Sequence, residues 1–368
     1  MRTIIVIIGL LYNLSSSAND STAHVSTKGL VLDKTDKIAM KKERLSISPE
    51  KVEVEYEYYN ESDKDISTIV AFPIPAYQCG NYYERFAFYP EFEVKVDGKI
   101  LEYKKETKAF VGEKDVTPEL KALNLQDGSC VDPKNLSKHQ LEKLKEKNLL
   151  DLDLDGELNS IWSIQVSYYW KMTFPSKKSL KLSHSYNPVL GGNSNNSIEA
   201  KEYNKGDKFF EWARAHGVGN YPRKGKKVKP NDRGGYVLTT GNNWKNGIED
   251  FELIVKGGQI VWVYLDNKIY SSIGRVFIKR SNYRPMTDLF FSYGHVADEI
   301  PAQFHEEKMI DGPANLRDKI NGKIIVSISD KSPVVVMDFE DHWFKVKYQD
   351  KIGYTQENNL VLSDCKEK

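Results

Sequence analysis

The seven histidines, His24, His139, His184, His216, His295, His305 and His342, are spread so that no two stand three to five residues apart. The spacing excludes the His-x-x-x-His and His-Glu-x-x-His pairs that place two imidazoles on one helix face around catalytic zinc. No Gly-x-Ser-x-Gly elbow is present, and Cys79 in Tyr77-Gln78-Cys79-Gly80 follows a proline-rich stretch instead of opening a helix, so no nucleophile motif stands out. Gly191-Gly192 and Gly257-Gly258 read as turns, not phosphate cradles. Asp151, Asp153, Asp155 and Gly156 open like a calcium loop, but the twelfth position is Trp162. Without a bidentate carboxylate there the cage is incomplete, and a solvated acidic turn is the plainer reading. His184 could act as a general base, yet it alternates with Leu180 and Leu182 and so points to the core. A hydrolase built on His184 and scattered carboxylates is the least favoured function, and no cofactor is implied.

One local charge anomaly remains. Arg223, Lys224, Lys226, Lys227 and Lys229 form a basic run that could dock an anionic wall polymer, lipid headgroups or an acidic protein face; a solvated loop is the alternative. Over the whole chain 53 Lys+Arg balance 52 Asp+Glu, a net charge of +1, which gives no global electrostatic case for nucleic acid. The 368 residues, 40% of them hydrophobic, suit about two domains.

The chain opens with Arg2, an apolar run from Ile4 to Leu11 and small residues at Ser16-Ser17-Ala18. This pattern reads as a secretory signal peptide over residues 1–18: an apolar core of about eight residues is far short of the roughly twenty needed to span a bilayer. The expectation is an exported protein, periplasmic or extracellular, without a transmembrane segment once the leader is removed. In an oxidising compartment Cys79 and Cys130 could pair, closing a loop of about 50 residues; three unpaired thiols are the alternative.

The elements that must carry any site are mainly strands. Val52, Val54, Tyr56 and Tyr58 alternate with Glu53, Glu55 and Glu57, and Ile66 to Phe72 resumes after a polar break, which predicts a hairpin with one buried face. Phe92, Val94 and Val96 run into an Asp97-Gly98 turn. The strongest strand spans Trp162 to Phe174, followed by Leu180 to Tyr186. Further hairpin signals are Tyr236 to Thr240, Phe251 to Val255, the Gly257-Gly258 turn, Ile260 to Leu265 and Val276 to Ile278. Helix is predicted only over Asn135–Leu150 and Asp207–His216. The expectation is a mainly β, antiparallel sandwich-like large domain with short helical insertions.

Two resemblances follow from ordered motifs. Ile47-Ser48-Pro49, Phe72-Pro73-Ile74-Pro75, Val94 to Gly98, Trp170 to Pro175, His184-Ser185-Tyr186-Asn187-Pro188, Tyr236 to Thr240 with Asn243-Trp244, and Pro285 to Leu289 resemble the bacterial family called domain of unknown function 4424, over residues 19–305. That likeness implies an exported β-rich envelope protein and nothing catalytic. The Asp207 helix lacks a cysteine that relatives are expected to carry there. Residues 308–363 resemble a bacterial SH3 domain through Gly312 to Arg317, Gly322 to Ile325, Val334 to Met337, Trp343 to Val346, and Gly353-Tyr354 ahead of Asn359-Leu360. The resemblance implies a small β-barrel over residues 306–363, with a tail over 364–368, binding a cell-wall polymer or an envelope protein. Ligand-binding candidates are Trp343, Tyr354 and Asn315. Trp343 stands where related modules expose a stacking aromatic, although half-buried packing is the alternative. The segment Gly353 to Asn359 lacks the residues that complete a polyproline groove. The leading expectation is a non-enzymatic exported binding protein, the alternative a neutralising or assembly partner of another secreted protein.

Overall fold

A computed structural model describes residues 20–26, 29–79, 91–112, 114–125, 131–152, 156–188, 190, 233–295 and 299–365. Five strands come first: β1 Ser21–Ser26, β2 Gly29–Asp33, β3 Ile38–Ile47, β4 Val52–Asn60 and β5 Ile66–Pro73. Then β6 Tyr77–Gln78, β7 Glu93–Val96, β8 Lys99–Ile100, β9 Lys104–Val111 and β10 Lys114–Asp115 lead to helices α1 Thr117–Ala122 and α2 Lys138–Glu146. The hairpin β11 Leu150–Leu152 and β12 Leu158–Ser160 precedes β13 Ser163–Phe174 and β14 Ser179–Tyr186. After these come β15 Arg233–Tyr236, β16 Lys245–Leu265, β17 Lys268–Tyr283 and β18 Leu289–Gly294. The C-terminal strands are β19 Glu306–Met309, β20 Ala314–Arg317, β21 Ile324–Ile328, β22 Pro333–Glu340, β23 Trp343–Tyr348 and β24 Lys351–Gln356.

The chain is mainly β, and the antiparallel expectation is corrected at one pairing, where β3 runs parallel to β16. One curled sheet runs β10-β9-β13-β5-β1-β2, with β6 beside β13, and a second runs β15-β18-β16-β3-β4-β14-β7-β8, with β17 beside β16. Strict alternation positions their shared core: every second residue of β13 from Ile164 to Phe174 is buried, and β4 buries Val52, Val54, Tyr56 and Tyr58. These rows meet in one continuous apolar cluster between the sheets. The hairpin β1–β2 ends the first sheet, which curls so that β2 approaches β9. There Glu106 of β9 accepts from the Leu30 amide at 3.1 Å and Lys108 donates to its carbonyl at 3.5 Å.

Two predicted turns are corrected. The segments Val52–Tyr58 and Ile66–Phe72 do not form a hairpin: β4 pairs with β3 and β14, whereas β5 pairs with β13 and β1. The chain crosses from one sheet to the other through Asn60, whose buried amide donates to the carbonyls of Lys64 and Phe174. Period-two patterning marks a buried face but not which sheet the strand joins. Gly257-Gly258 is likewise no turn. β16 continues through it as a bulge, with the register shifting between Lys256 and Ile260, and the reversal lies at Asp266-Asn267, both at positive φ. Gly257 has φ +124°, and a Cβ there would come within 2.3 Å of Pro49, so the bulge needs glycine. Tyr236 ends β15, and Thr239–Asn243 forms a 3-10 turn.

Asp97-Gly98 turns as expected, with φ +48° and +79°. Helix α2 lies inside the predicted Asn135–Leu150 span, started by a Ser137–Gln140 capping box. Helix α1 has no counterpart in the periodicity, although Thr117-Pro118-Glu119 carries the start signal of proline in the first turn. The predicted Asp207–His216 helix lies outside the described residues, as does the predicted leader.

Six short strands form the third sheet, β19-β22-β23-β24-β20-β21. Its apolar side shares a second core with the far half of the β16–β17 hairpin: Ile260, Trp262, Ile269 and Ile273 pack with Ile310, Leu316, Val334, Phe344 and Val346. Arg275 donates to the carbonyls of Glu357 and Leu360 at 3.0 and 2.6 Å, and its guanidinium sits 5.4 Å from the centre of the Phe344 ring. Gln259 donates to Asp338 at 2.6 Å. The C-terminal unit is thereby seated on one strand pair of the large one.

Candidate functional site

His184 reaches the core by alternation along β14, whose burial pattern brings Leu180, Leu182, His184 and Tyr186 inward. Its side chain is wholly covered, with Nε2 3.3 Å from Asp20 Oδ1, and its ring centre lies 4.1 Å from that of Phe72. Tyr58 donates to Asp20 at 3.2 Å, and Trp244 Nε1 donates to the Asp20 carbonyl at 2.7 Å. Beside them the Tyr56 and Tyr236 hydroxyls meet at 2.9 Å, and Tyr236 donates to buried Glu43 at 3.4 Å. Burial raises the Asp20 carboxyl above its ordinary value, with His184 and Tyr58 opposing the shift, and drives the Tyr56, Tyr58 and Tyr236 hydroxyls well above theirs. This is a structural polar knot inside the core. No side-chain atom of His184 is open to solvent.

On the solvent face of the same sheet lies a groove of about 370 Å³. Register builds it: Glu252, Arg44, Glu55, Ser183 and Lys95 form one row across β16, β3, β4, β14 and β7, and Ile254, Ser46, Glu53, Ser185 and Glu93 form the next. Ser46, Ser183 and Ser185 leave a low floor between charged side chains. Most of these charges are matched, with Arg44–Glu252 at 2.9 Å and Lys51–Glu53 at 2.8 Å. The Glu53–Glu55–Glu57 alternation is legible in the sequence. Its partners across the sheet are not, because register decides them.

The C-terminal unit displays a second surface. Ala314 and Leu316 face inward on β20, so Asn315 is exposed on the outer side, where its Oδ1 accepts from Ser327 at 3.0 Å. On β24, Gly353 and Thr355 are buried and Tyr354 is half-buried on the same outer side, opposite Arg317 of β20 and Lys345 of β23. Alternation with buried Phe344 and Val346 puts Trp343 on this side as well, but only 7% of it is exposed. The structure thus gathers Asn315, Tyr354 and Trp343 on one sheet face and covers the indole. Trp343 is packing there, not an exposed stacking platform.

Among the described residues no group of three His, Cys, Asp or Glu side chains is placed to hold a metal ion. Asp151 is exposed on β11 and accepts from the Leu152 amide at 2.8 Å; Asp153 and Asp155 lie outside the described residues, and Trp162 is fully buried. Arg223, Lys224, Lys226, Lys227 and Lys229 also lie outside them. Cys79 is disulfide-bonded and Cys365 is a thiol; Cys130, the remaining cysteine of the sequence, lies outside the described residues. No described helix is long and apolar enough to cross a membrane.

Among solved structures, a candidate nutrient-binding protein from Legionella pneumophila subsp. pneumophila str. Philadelphia 1 is 13% identical, covers 75% of this chain and 70% of its own, and superposes with a TM-score of 0.37. NlpC1 from Trichomonas vaginalis is 16% identical over 28% of this chain and 42% of its own, with a TM-score of 0.16. No curated protein matches the chain. The model of the family described as Domain of unknown function (DUF4424) matches residues 18–290. The chain therefore belongs to the DUF4424 family.

Proposed function

We propose that the chain is an exported, non-enzymatic envelope protein that binds a cell-wall component through an SH3-like C-terminal module. One observation carries the reading: the far half of the β16–β17 hairpin lies in the same core as the six-stranded unit. Its outer face, with Asn315 and Tyr354, is therefore held at a fixed orientation instead of swinging on a tether. A compact sheet over residues 306–356, ending in a 3-10 turn at Glu357–Asn359, supports a small barrel of the expected length, with six strands where five were expected. The disulfide at Cys79 supports export, since disulfides persist in oxidising compartments, and the apolar leader supports it independently.

Co-sedimentation of residues 19–368 with purified peptidoglycan sacculi tests this. We expect saturable retention in the pellet. Protein that stays wholly in the supernatant while folded would refute the wall reading. A second reading, an assembly or neutralising partner of another secreted protein, is favoured by the charged, serine-floored groove on the large unit. It predicts a stoichiometric protein partner on affinity purification from the envelope and no affinity for sacculi.

A further inference from the structure

The open backbone edge of β21 is a separate feature. β21 ends its sheet and pairs with β20 alone, and among the described residues no backbone hydrogen bond reaches its outer side. The strand reads Ile-Ile-Val-Ser-Ile, with Ile324 51% and Ile325 37% exposed. Neighbouring edges are treated differently. The chain's own end covers β17, where the Cys365 amide donates to Phe277 at 2.8 Å and Asp364 accepts from the Lys279 amide at 3.2 Å. It also reaches β19, where the Val361 amide donates to Met309 at 2.8 Å. An apolar strand whose outer N–H and C=O groups meet no described backbone is a template for one kind of occupant, another strand.

Charge narrows the choice of strand. Lys323 precedes β21 and Lys331 follows it, both exposed, and neither has an ion-pair partner among the described residues. The nearby carboxylates are engaged by backbone: Asp318 accepts from the Lys323 amide and Asp330 from the Gly312 amide, each at 2.8 Å. Lys323 continues the strand at one end, and Lys331 stands in the turn just past the other, at φ +56° with its amide donating to Ile310. A strand from a different chain with acidic residues at its ends has complementary charge.

We propose that the β21 edge is a strand-addition site for an extended, apolar peptide segment flanked by acidic residues. This does not depend on the wall-ligand reading, because it uses backbone groups at the sheet end and not Asn315 or Tyr354.

The probe is a labelled, capped peptide that alternates valine and threonine between terminal aspartates, titrated into residues 19–368 and followed by fluorescence anisotropy. We expect saturable binding, weakened at least about tenfold, the equivalent of 1.4 kcal/mol, by Lys323→Glu combined with Lys331→Glu. Lysine in place of the terminal aspartates should restore binding to that variant. A proline at the peptide centre should abolish it, since proline removes a ladder donor. The Asn315→Ala, Tyr354→Ala variant should bind the peptide as wild type does. No saturation, equal binding of the proline peptide, or indifference to the charge reversal would overturn the proposal. So would a concentration-dependent dimer in sedimentation that Ile324→Lys dissolves, because β21 would then serve a second copy.

Discussion

Asp20 concentrates much of what single residues contribute. It is the first described residue, its carboxyl is wholly buried between His184 and Tyr58, and its carbonyl is held by Trp244. Asp20 thus fastens the start of β1 into the core. Because burial raises the Asp20 carboxyl above its unfolded value, its favourable contribution is fully present below the ordinary carboxylate range, near pH 3.9, and is lost as pH rises through the raised folded value. Asp20→Asn keeps an oxygen for Tyr58 and cannot ionise. The stability of the variant relative to wild type should therefore increase from acid to neutral pH. Urea unfolding of both proteins across that range checks this, and a difference that does not change with pH would contradict it.

At the scale of elements, the bulge in β16 decides the architecture. Below it β16 pairs with β3, and beyond it with β18, while β17 follows on the other side throughout. Beyond the bulge the strand lies between the two cores, with Val261, Val263 and Leu265 in the first and Ile260 and Trp262 in the second. Gly257→Ala adds a Cβ against Pro49 at an unfavourable φ and should lower stability by about 1–3 kcal/mol, measured as a shift of the urea midpoint. An unchanged midpoint would show that the bulge tolerates a side chain.

The strands themselves are legible because alternation is local: Ile164 to Phe174 and Leu180 to Tyr186 each announce a buried face. Partner choice is not, because Val52–Tyr58 and Ile66–Phe72 carry the same pattern whether they pair or face each other across a core. A double glycine is likewise compatible with a turn or a bulge, and only Pro49, distant in sequence, distinguishes them. For the candidate site, parity alone places Asn315 and Tyr354 on one face. The covering of Trp343 depends on what packs over the sheet, which no spacing reveals.

For the whole molecule, the consequence is mechanical coupling between the DUF4424 region and the C-terminal unit. Arg275 is central: burial pulls its guanidinium below its ordinary value, and its donors are spent on backbone carbonyls of the last 3-10 turn and the residues after it. Arg275→Ala should cost roughly 1.5–3 kcal/mol, the range for hydrogen bonds to charged groups. It should also split a single calorimetric unfolding transition into two; a single transition at an unchanged temperature would mean that the units are not joined through this residue.

The most direct test of the binding account compares sacculus co-sedimentation of wild type with Asn315→Ala, Tyr354→Ala, both proteins shown to have matching thermal melts. The account predicts saturable binding by wild type and at least a tenfold loss in the double variant, about 1.4 kcal/mol. Equal retention of the two folded proteins would contradict it.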